Sequence, residues 1–190
     1  MRAVVLLGAV LLAANSATAT DAPGYEALMA ELAQHPHRRG SFVEQRTSPL
    51  LDHPVTARGE LRFDAPDRLE KTTLSPRHET LLLEHGVATI VRGDRHFALS
   101  LSDHPELVPL LDSIRATLAG DSAALAANFT PEFTEQDGDW TLTLTPRDKR
   151  AAALVKSVRI GGTGATLKRV TVERANGDRS QMDVQEEAGP

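Results

Sequence analysis

The fold of this chain is decided by residues 55–63, VTARGELRF, in which apolar and polar side chains alternate. One face carries Val55, Ala57, Gly59, Leu61 and Phe63, and the other carries the residues between them. Strict alternation predicts a β-strand with one buried face. Glycine within a strand often marks a bend or bulge, so Gly59 predicts one here.

Strand patterns separated by turn signals continue on both sides of this stretch. They are predicted at residues 41–47, 68–74, 79–84, 87–91, 95–101, 140–145, 156–161, 165–174 and 178–185, with one more after Phe129. Asp137-Gly138 and Asn176-Gly177 are hairpin turn signals, and residues 161–164, GGTG, are interpreted as a flexible turn. About ten or eleven strands are expected in one antiparallel sheet, which is large enough to curl.

Two segments have the period of a helix instead. Residues 23–34 carry one apolar stripe, and a helix from Pro109 to Gly120 is followed by a short one that Asp121 caps, through Ala127. The fold class is therefore α+β, mostly β: one strongly curved antiparallel sheet with a helical cover. The mid-chain stripe is either simple core or the underside of a mobile lid, and its residues are Leu107, Leu110, Leu111, Ile114 and Leu118.

The first 19 residues have the composition of a secretory signal peptide. Arg2 precedes an apolar run at residues 3–14, and Ala17-Thr18-Ala19 matches a cleavage site. The run is too short for a membrane span, which takes roughly 20 apolar residues. We expect cleavage after residue 19, one domain at residues 20–186 and a disordered tail at residues 187–190.

Composition excludes several classes of function. The formal net charge is −5, and removing Arg2 makes it more negative, so a nucleic-acid partner is not expected. The chain has no cysteine, which excludes disulfides, thiol catalysis and thiolate metal sites.

The remaining catalytic and metal motifs are also missing. The seven histidines are scattered without the spacing of a metal site, so neither a metal nor another cofactor is expected. The sequence has no nucleophile elbow and no P-loop, and no carboxylate pair stands out. We therefore expect that the protein is not an enzyme, although a pair of carboxylates in a cavity stays open as an alternative.

Alternation also indicates which side chains face the concave side of the sheet. Their apolar character predicts that they form the wall of a cavity. Either a bound ligand or other side chains would fill that cavity. The predicted wall residues are Leu61, Phe63, Leu69, Leu81, Leu83, Trp140, Leu142, Leu144, Val170 and Val172.

The order and spacing of several segments resemble a known family. These are Phe42 with Gln45, GELRF at residues 59–63, Pro66 and DWTLTLTP at residues 139–146. Together with the first helix and the central helices, they look like the outer-membrane lipoprotein carrier proteins of Gram-negative bacteria. A divergent LolA-related subgroup is suggested by the segments PDRLEK at 66–71, TLAGD at 117–121 and GDRS at 177–180.

The resemblance implies an unclosed β-barrel with a helical lid. It also implies a monomeric periplasmic carrier that receives lipoprotein acyl chains from an inner-membrane exporter and passes them to an outer-membrane acceptor. Another lipid-like cargo, such as an aryl-polyene or glycolipid conjugate, fits the divergent subgroup. The alternative is an envelope interaction or scaffold module on the same fold, with a core filled by side chains.

Two departures from the family pattern affect these expectations. In the well-studied carriers an arginine just before the turn proline latches the lid, whereas this chain has Ala65 before Pro66. The familiar carriers also continue beyond the last hairpin, whereas this sequence ends at Pro190. We therefore expect the latch and the docking to a transporter to differ from the family pattern.

Overall fold

The structure, a computed structural model, describes residues 23–104 and 108–187. The predicted signal peptide, Leu107 and the last three residues of the predicted tail lie outside these ranges. The helices are α1 (Pro23–Ala33), α2 (Val108–Leu118), α3 (Ser122–Asn128) and α4 (Lys149–Ala152). The strands are β1 (His37–Thr47), β2 (Val55–Asp64), β3 (Arg68–Ser75), β4 (Glu79–Glu84), β5 (Val87–Arg92), β6 (Arg95–Ser100), β7 (Phe129–Gln136), β8 (Asp139–Pro146), β9 (Val155–Thr163), β10 (Thr166–Arg174) and β11 (Arg179–Glu186).

All of these strands form one antiparallel sheet in the order β6-β5-β4-β3-β2-β1-β11-β10-β9-β8-β7. Each pairing joins strands that are consecutive in the chain, except that of β1 with β11. Strands β6 and β7 are the two edges and do not pair with each other within the described ranges. The sheet is therefore an unclosed barrel, which confirms the predicted fold class.

The predicted irregularity at Gly59 is present. The register between β2 and β3 shifts between Arg58 and Gly59, so that β3 has one extra residue there. A Cβ atom on Gly59 would lie 1.9 Å from the carbonyl oxygen of Thr72. Glycine is needed at this position because the backbone of β3 approaches closely.

The helices begin and end near their predicted limits. Pro109 lies in the first turn of α2, where a missing N–H breaks no helical hydrogen bond. The side chain of Asp121 accepts a hydrogen bond of 2.9 Å from the backbone N–H of Ala124 and so caps α3 as predicted. In α1 the predicted apolar stripe is buried, and it consists of Tyr25, Leu28, Met29 and Leu32.

The interpretation of residues 161–164 as a turn was wrong for its first part. Gly161, Gly162 and Thr163 lie within β9, where Gly162 is paired with Trp140 of β8. A Cβ atom on Gly162 would lie 2.6 Å from the indole ring of Trp140. The indole Nε1–H donates a hydrogen bond of 2.7 Å to the carbonyl of Gly164. Glycine thus provides room for the tryptophan ring.

We also find that no helix within residues 23–104 and 108–187 is both long enough and apolar enough to cross a membrane.

Candidate functional site

A cavity of about 510 Å³ lies between the inner face of the sheet and helix α2. This volume is typical of ligand pockets. A water molecule occupies about 30 Å³ in the liquid, so the cavity has room for about 17 groups of that size. The cavity is therefore large enough for a long acyl chain, because a methylene group is similar in size to water. Its apolar wall consists of Leu61, Leu69, Leu81, Leu83, Val170, Val172 and Met182 from the sheet, Leu111 and Ile114 from α2, and Leu51 from the segment between β1 and β2.

The structure brings six of the ten predicted wall residues together in this cavity. Phe63 lines a separate space of about 20 Å³ together with Leu61, Leu69 and Ile114. The six residues in the cavity wall are Leu61, Leu69, Leu81, Leu83, Val170 and Val172.

The other three predicted wall residues lie elsewhere. Trp140, Leu142 and Leu144 of β8 are buried in a continuous core with Leu32 of α1 and Leu125 of α3. The alternation of β8 correctly indicates an inward face. However, alternation cannot distinguish a face covered by helices from a face that borders an open cavity.

The predicted lid residues are divided in the same way. Leu111 and Ile114 line the cavity, and Leu118 is buried and borders the smaller space. Leu107 lies outside the described residues, as does the side chain of Leu110. Part of the apolar stripe of α2 is therefore core and part is cavity wall, and the role of α2 as a mobile lid stays a prediction.

Two charged residues on the inner face were missed by the sequence analysis. Lys71 of β3 is paired with Leu61 on one side and with Leu81 on the other, so it points to the same face as these leucines. Glu44 of β1 lies between Ala57 and Met182 in the same way. Both charged residues line the cavity.

A signal for Glu44 was present in β1. Alternate residues of this strand are buried, and they are Arg38, Gly40, Phe42 and Glu44. The signal is weak in the sequence itself, because only Phe42 among these four residues is apolar and charged side chains are usually assigned to the solvent face.

The carboxylate of Glu44 has three partners. Lys71 Nζ and an Nη atom of Arg46 donate to Glu44 Oε2 over 2.6 Å and 2.8 Å, and the hydroxyl of Ser180 donates to Oε1. Burial favours a higher pKa for Glu44, but the hydrogen bonds and positive charges outweigh it and lower the pKa to about 2. Lys71 Nζ also lies 4.8 Å from the centroid of the Phe42 ring.

The polar part of the cavity wall lies near one end of the sheet. There β1 ends and β11 begins, so that Thr47 is paired with Arg179 and Arg46 with Ser180. The polar side chains of the cavity wall are Glu44, Arg46, Thr47, Ser48, Lys71, Glu79, Arg174, Asp178, Arg179 and Ser180. The cavity is therefore amphipathic, with leucines along one part and charged groups along another.

Among residues 23–104 and 108–187, no group of three or more histidine, aspartate or glutamate side chains is placed to hold a metal ion.

Comparisons with known proteins identify a family. A family model described as outer membrane lipoprotein carrier protein LolA-like matches residues 14–187. Among curated protein sequences, none matches this chain significantly.

Several solved structures are similar at low sequence identity. A LolA superfamily protein from Nitrosomonas europaea is 12% identical, with a TM-score of 0.45 over 85% of this chain and 92% of that chain. MucB in the MucA/MucB complex of Pseudomonas aeruginosa is 15% identical, with a TM-score of 0.44; the match covers 88% of this chain but only 58% of that one. The lipoprotein LppX from Mycobacterium tuberculosis is 8% identical, with a TM-score of 0.39 over 86% of this chain and 94% of that chain.

The family model spans almost the whole sequence, and the structure has the unclosed sheet and helical cover that the resemblance implied. The protein therefore belongs to the outer membrane lipoprotein carrier protein LolA-like family, a family of lipid or lipoprotein carriers.

Proposed function

We propose that this protein is a periplasmic carrier that binds the acyl chains of lipoproteins, or another lipid-like cargo, and moves them from the inner to the outer membrane. The observation that carries this proposal is the cavity of about 510 Å³ beneath α2, with a wall of leucine and valine side chains. Family membership supports the same function.

The apolar wall supplies the binding energy for such a cargo. Each methylene group that leaves water contributes about 0.8 kcal/mol, so even partial burial of an acyl chain is favourable. Leu111 and Ile114 of α2 face the same space and would exchange their contacts with the sheet for contacts with cargo. Release requires that the free energies of the empty and the loaded protein nearly balance.

This activity consists of binding and release, so we propose no catalytic role and no cofactor. The carrier would act as a monomer between an inner-membrane exporter and an outer-membrane acceptor. The leader pattern at residues 1–19 supports export through a cleaved signal peptide.

A second candidate function is an envelope interaction module without cargo. One observation favours it: around Leu142 and Leu144, other side chains of the protein cover the inner face of the sheet. The open cavity on the other half favours the carrier.

Native mass spectrometry of the protein purified from its own periplasm, followed by organic extraction, tests the proposal. A carrier should retain a diacyl or triacyl lipid, a lipopeptide or another amphiphile with a long chain. Bare protein that stays bare after incubation with acyl ligands would contradict the carrier function and favour the interaction module.

A further inference from the structure

The position of Lys71 is unusual for the inner face of an apolar cavity. Its neighbours on that face are Leu61 and Leu81, and its side chain is only 20% exposed. Burying an ammonium and a carboxylate is costly even when they pair, and well-packed apolar residues are often as stable in such a place. A charged pair in the wall of a cavity therefore suggests a role beyond stability.

The pairing of Lys71 does not exhaust its hydrogen-bonding capacity. An ammonium group has three N–H donors, and Glu44 accepts from one of them. Arg46 donates to the same carboxylate oxygen from one end of its planar guanidinium, which carries five donors. Both cations can therefore hold Glu44 and an oxygen atom of a ligand at the same time.

The charge balance of the wall favours an anion. Four cationic and three anionic side chains line the cavity. One of the anions, Glu79, forms an ion pair with Arg92, which does not line the cavity. The cavity thus has a positive region although the whole chain carries a net charge of −5.

We propose that the cavity binds an amphiphile with a single anionic head group, which lies against Lys71 and Arg46 while its acyl chain lies along Leu61, Leu69 and Leu83. This inference rests on the proposed carrier function and specifies its cargo class. The head group is a carboxylate or a phosphate, since both accept hydrogen bonds from ammonium and guanidinium groups.

Three ligands with the same chain test the proposal: hexadecanoate, hexadecyl phosphate and the neutral hexadecanol, each at pH 8 and below the concentration at which it aggregates or leaves solution. Dissociation constants are measured by displacement of a neutral fluorescent acyl probe from the wild-type protein. We expect the better anionic ligand to bind at least about tenfold more tightly than hexadecanol. A carboxylate and a phosphate cargo are distinguished by which of the two anions binds better.

Variants of Lys71 show whether the preference arises at this site. Lys71→Met should weaken the preference for the anionic ligands, because only Arg46 then remains against the head group, whereas Lys71→Arg should keep the preference. Lys168→Met is the matched control, because Lys168 also pairs with a carboxylate, that of Asp139, but does not line the cavity. The triple variant Glu44→Gln/Arg46→Met/Lys71→Met removes the buried pair together with the second cation and should lose the preference. It leaves no unpaired Glu44 carboxylate, so it also serves if Lys71→Met does not fold.

The outcomes separate this inference from the proposed function. Equal affinity of the wild-type protein for all three ligands would overturn the anionic head group and leave the acyl carrier intact. An undiminished preference in both Lys71→Met and the triple variant would overturn the assigned position. If none of the three ligands binds, the carrier function is contradicted and this inference with it.

Discussion

Arg115 of α2 donates a hydrogen bond of 3.0 Å from Nη1 to the carbonyl oxygen of Pro66, in the turn between β2 and β3. Arg115 is also paired with Asp112, one turn earlier in the helix, and both side chains are 16% exposed. The guanidinium therefore links the helix that covers the cavity to the rim of the sheet.

This contact lies next to Ala65, the position at which the family resemblance places a latching arginine. In this protein the arginine belongs to helix α2, and the residue after Ala65 supplies the acceptor. We therefore predict that Arg115 helps to hold α2 against the sheet.

Removing this link should loosen α2. A hydrogen bond of this kind contributes about 1 kcal/mol, so Arg115→Met should speed the release of a bound acyl probe to lipid vesicles by about fivefold. Backbone amides of α2 should also exchange hydrogen faster. Arg169→Met is the control, because the ion pair of Arg169, with Asp183, joins two neighbouring strands of the sheet, β10 and β11. Equal release rates in the wild-type protein and Arg115→Met would contradict a latch.

Filling the cavity should prevent binding without unfolding the protein. Leu81 lies in the cavity wall, so the larger side chain of Leu81→Trp can extend into open space. We expect at least a tenfold loss of affinity for an acyl probe, with a free energy of unfolding within about 1 kcal/mol of the wild-type value, since little overpacking arises. Unchanged affinity would show that cargo does not occupy this space.

A truncation in the core around β8 should lower stability and leave the affinity for an acyl probe nearly unchanged. Leu142 is completely buried, so Leu142→Ala should lower the free energy of unfolding by about 2–5 kcal/mol. Denaturant unfolding measures the change, and the affinity for an acyl probe should remain within about threefold in the folded variant. A loss of affinity as large as that of Leu81→Trp would place cargo against β8.

The Glu44 carboxylate should make stability depend on pH. Its pKa is about 2 in the folded protein, whereas the ordinary pKa of a glutamate is 4.5. Its contribution to the free energy of unfolding is therefore present above pH 4.5 and is lost as the pH falls towards 2. Glu44→Gln should therefore be less stable than the wild type at pH 7 by at most about 3 kcal/mol. The difference should shrink between pH 4.5 and pH 2.

Denaturant unfolding over this pH range measures that difference. Glu132→Gln is the control, because Glu132 is an exposed residue of β7 and its replacement should change stability by less than about 0.5 kcal/mol. A constant difference between Glu44→Gln and the wild type at all pH values would contradict the role of the ionised carboxylate.

Much of the fold could be predicted because most strands bury one face only. The alternation in residues 55–63 places Ala57 and Phe63 inside and Arg58 and Glu60 outside, as the structure has them. Val55 is the exception, since it is 41% exposed at the start of β2. The helix cap at Asp121 was predictable because it too depends on residues close in sequence: its partner, Ala124, lies three residues away.

The candidate site was predicted less completely, because it depends on contacts between distant parts of the chain. Lys71 reaches Glu44 across β2, and no local pattern distinguishes this lysine from one that faces solvent. Gly162 was assigned to a turn because its packing partner, Trp140, is on the neighbouring strand. Sequence periodicity shows which way a side chain points, but not what lies opposite it.

The pairing of β1 with β11 has a consequence for the way the chain assembles. Strands β1–β6 and β7–β11 are two meanders built from local hairpins, and this pairing is the seam that joins them within the sheet. Pairing β1 with β11 brings together residues far apart in sequence, such as Phe42 and Val184. This pairing has the largest cost in chain entropy, so we expect it to be the slowest step in forming the sheet. A chain cleaved between β6 and β7 should therefore behave as a split protein whose two fragments find each other through the edges of β1 and β11.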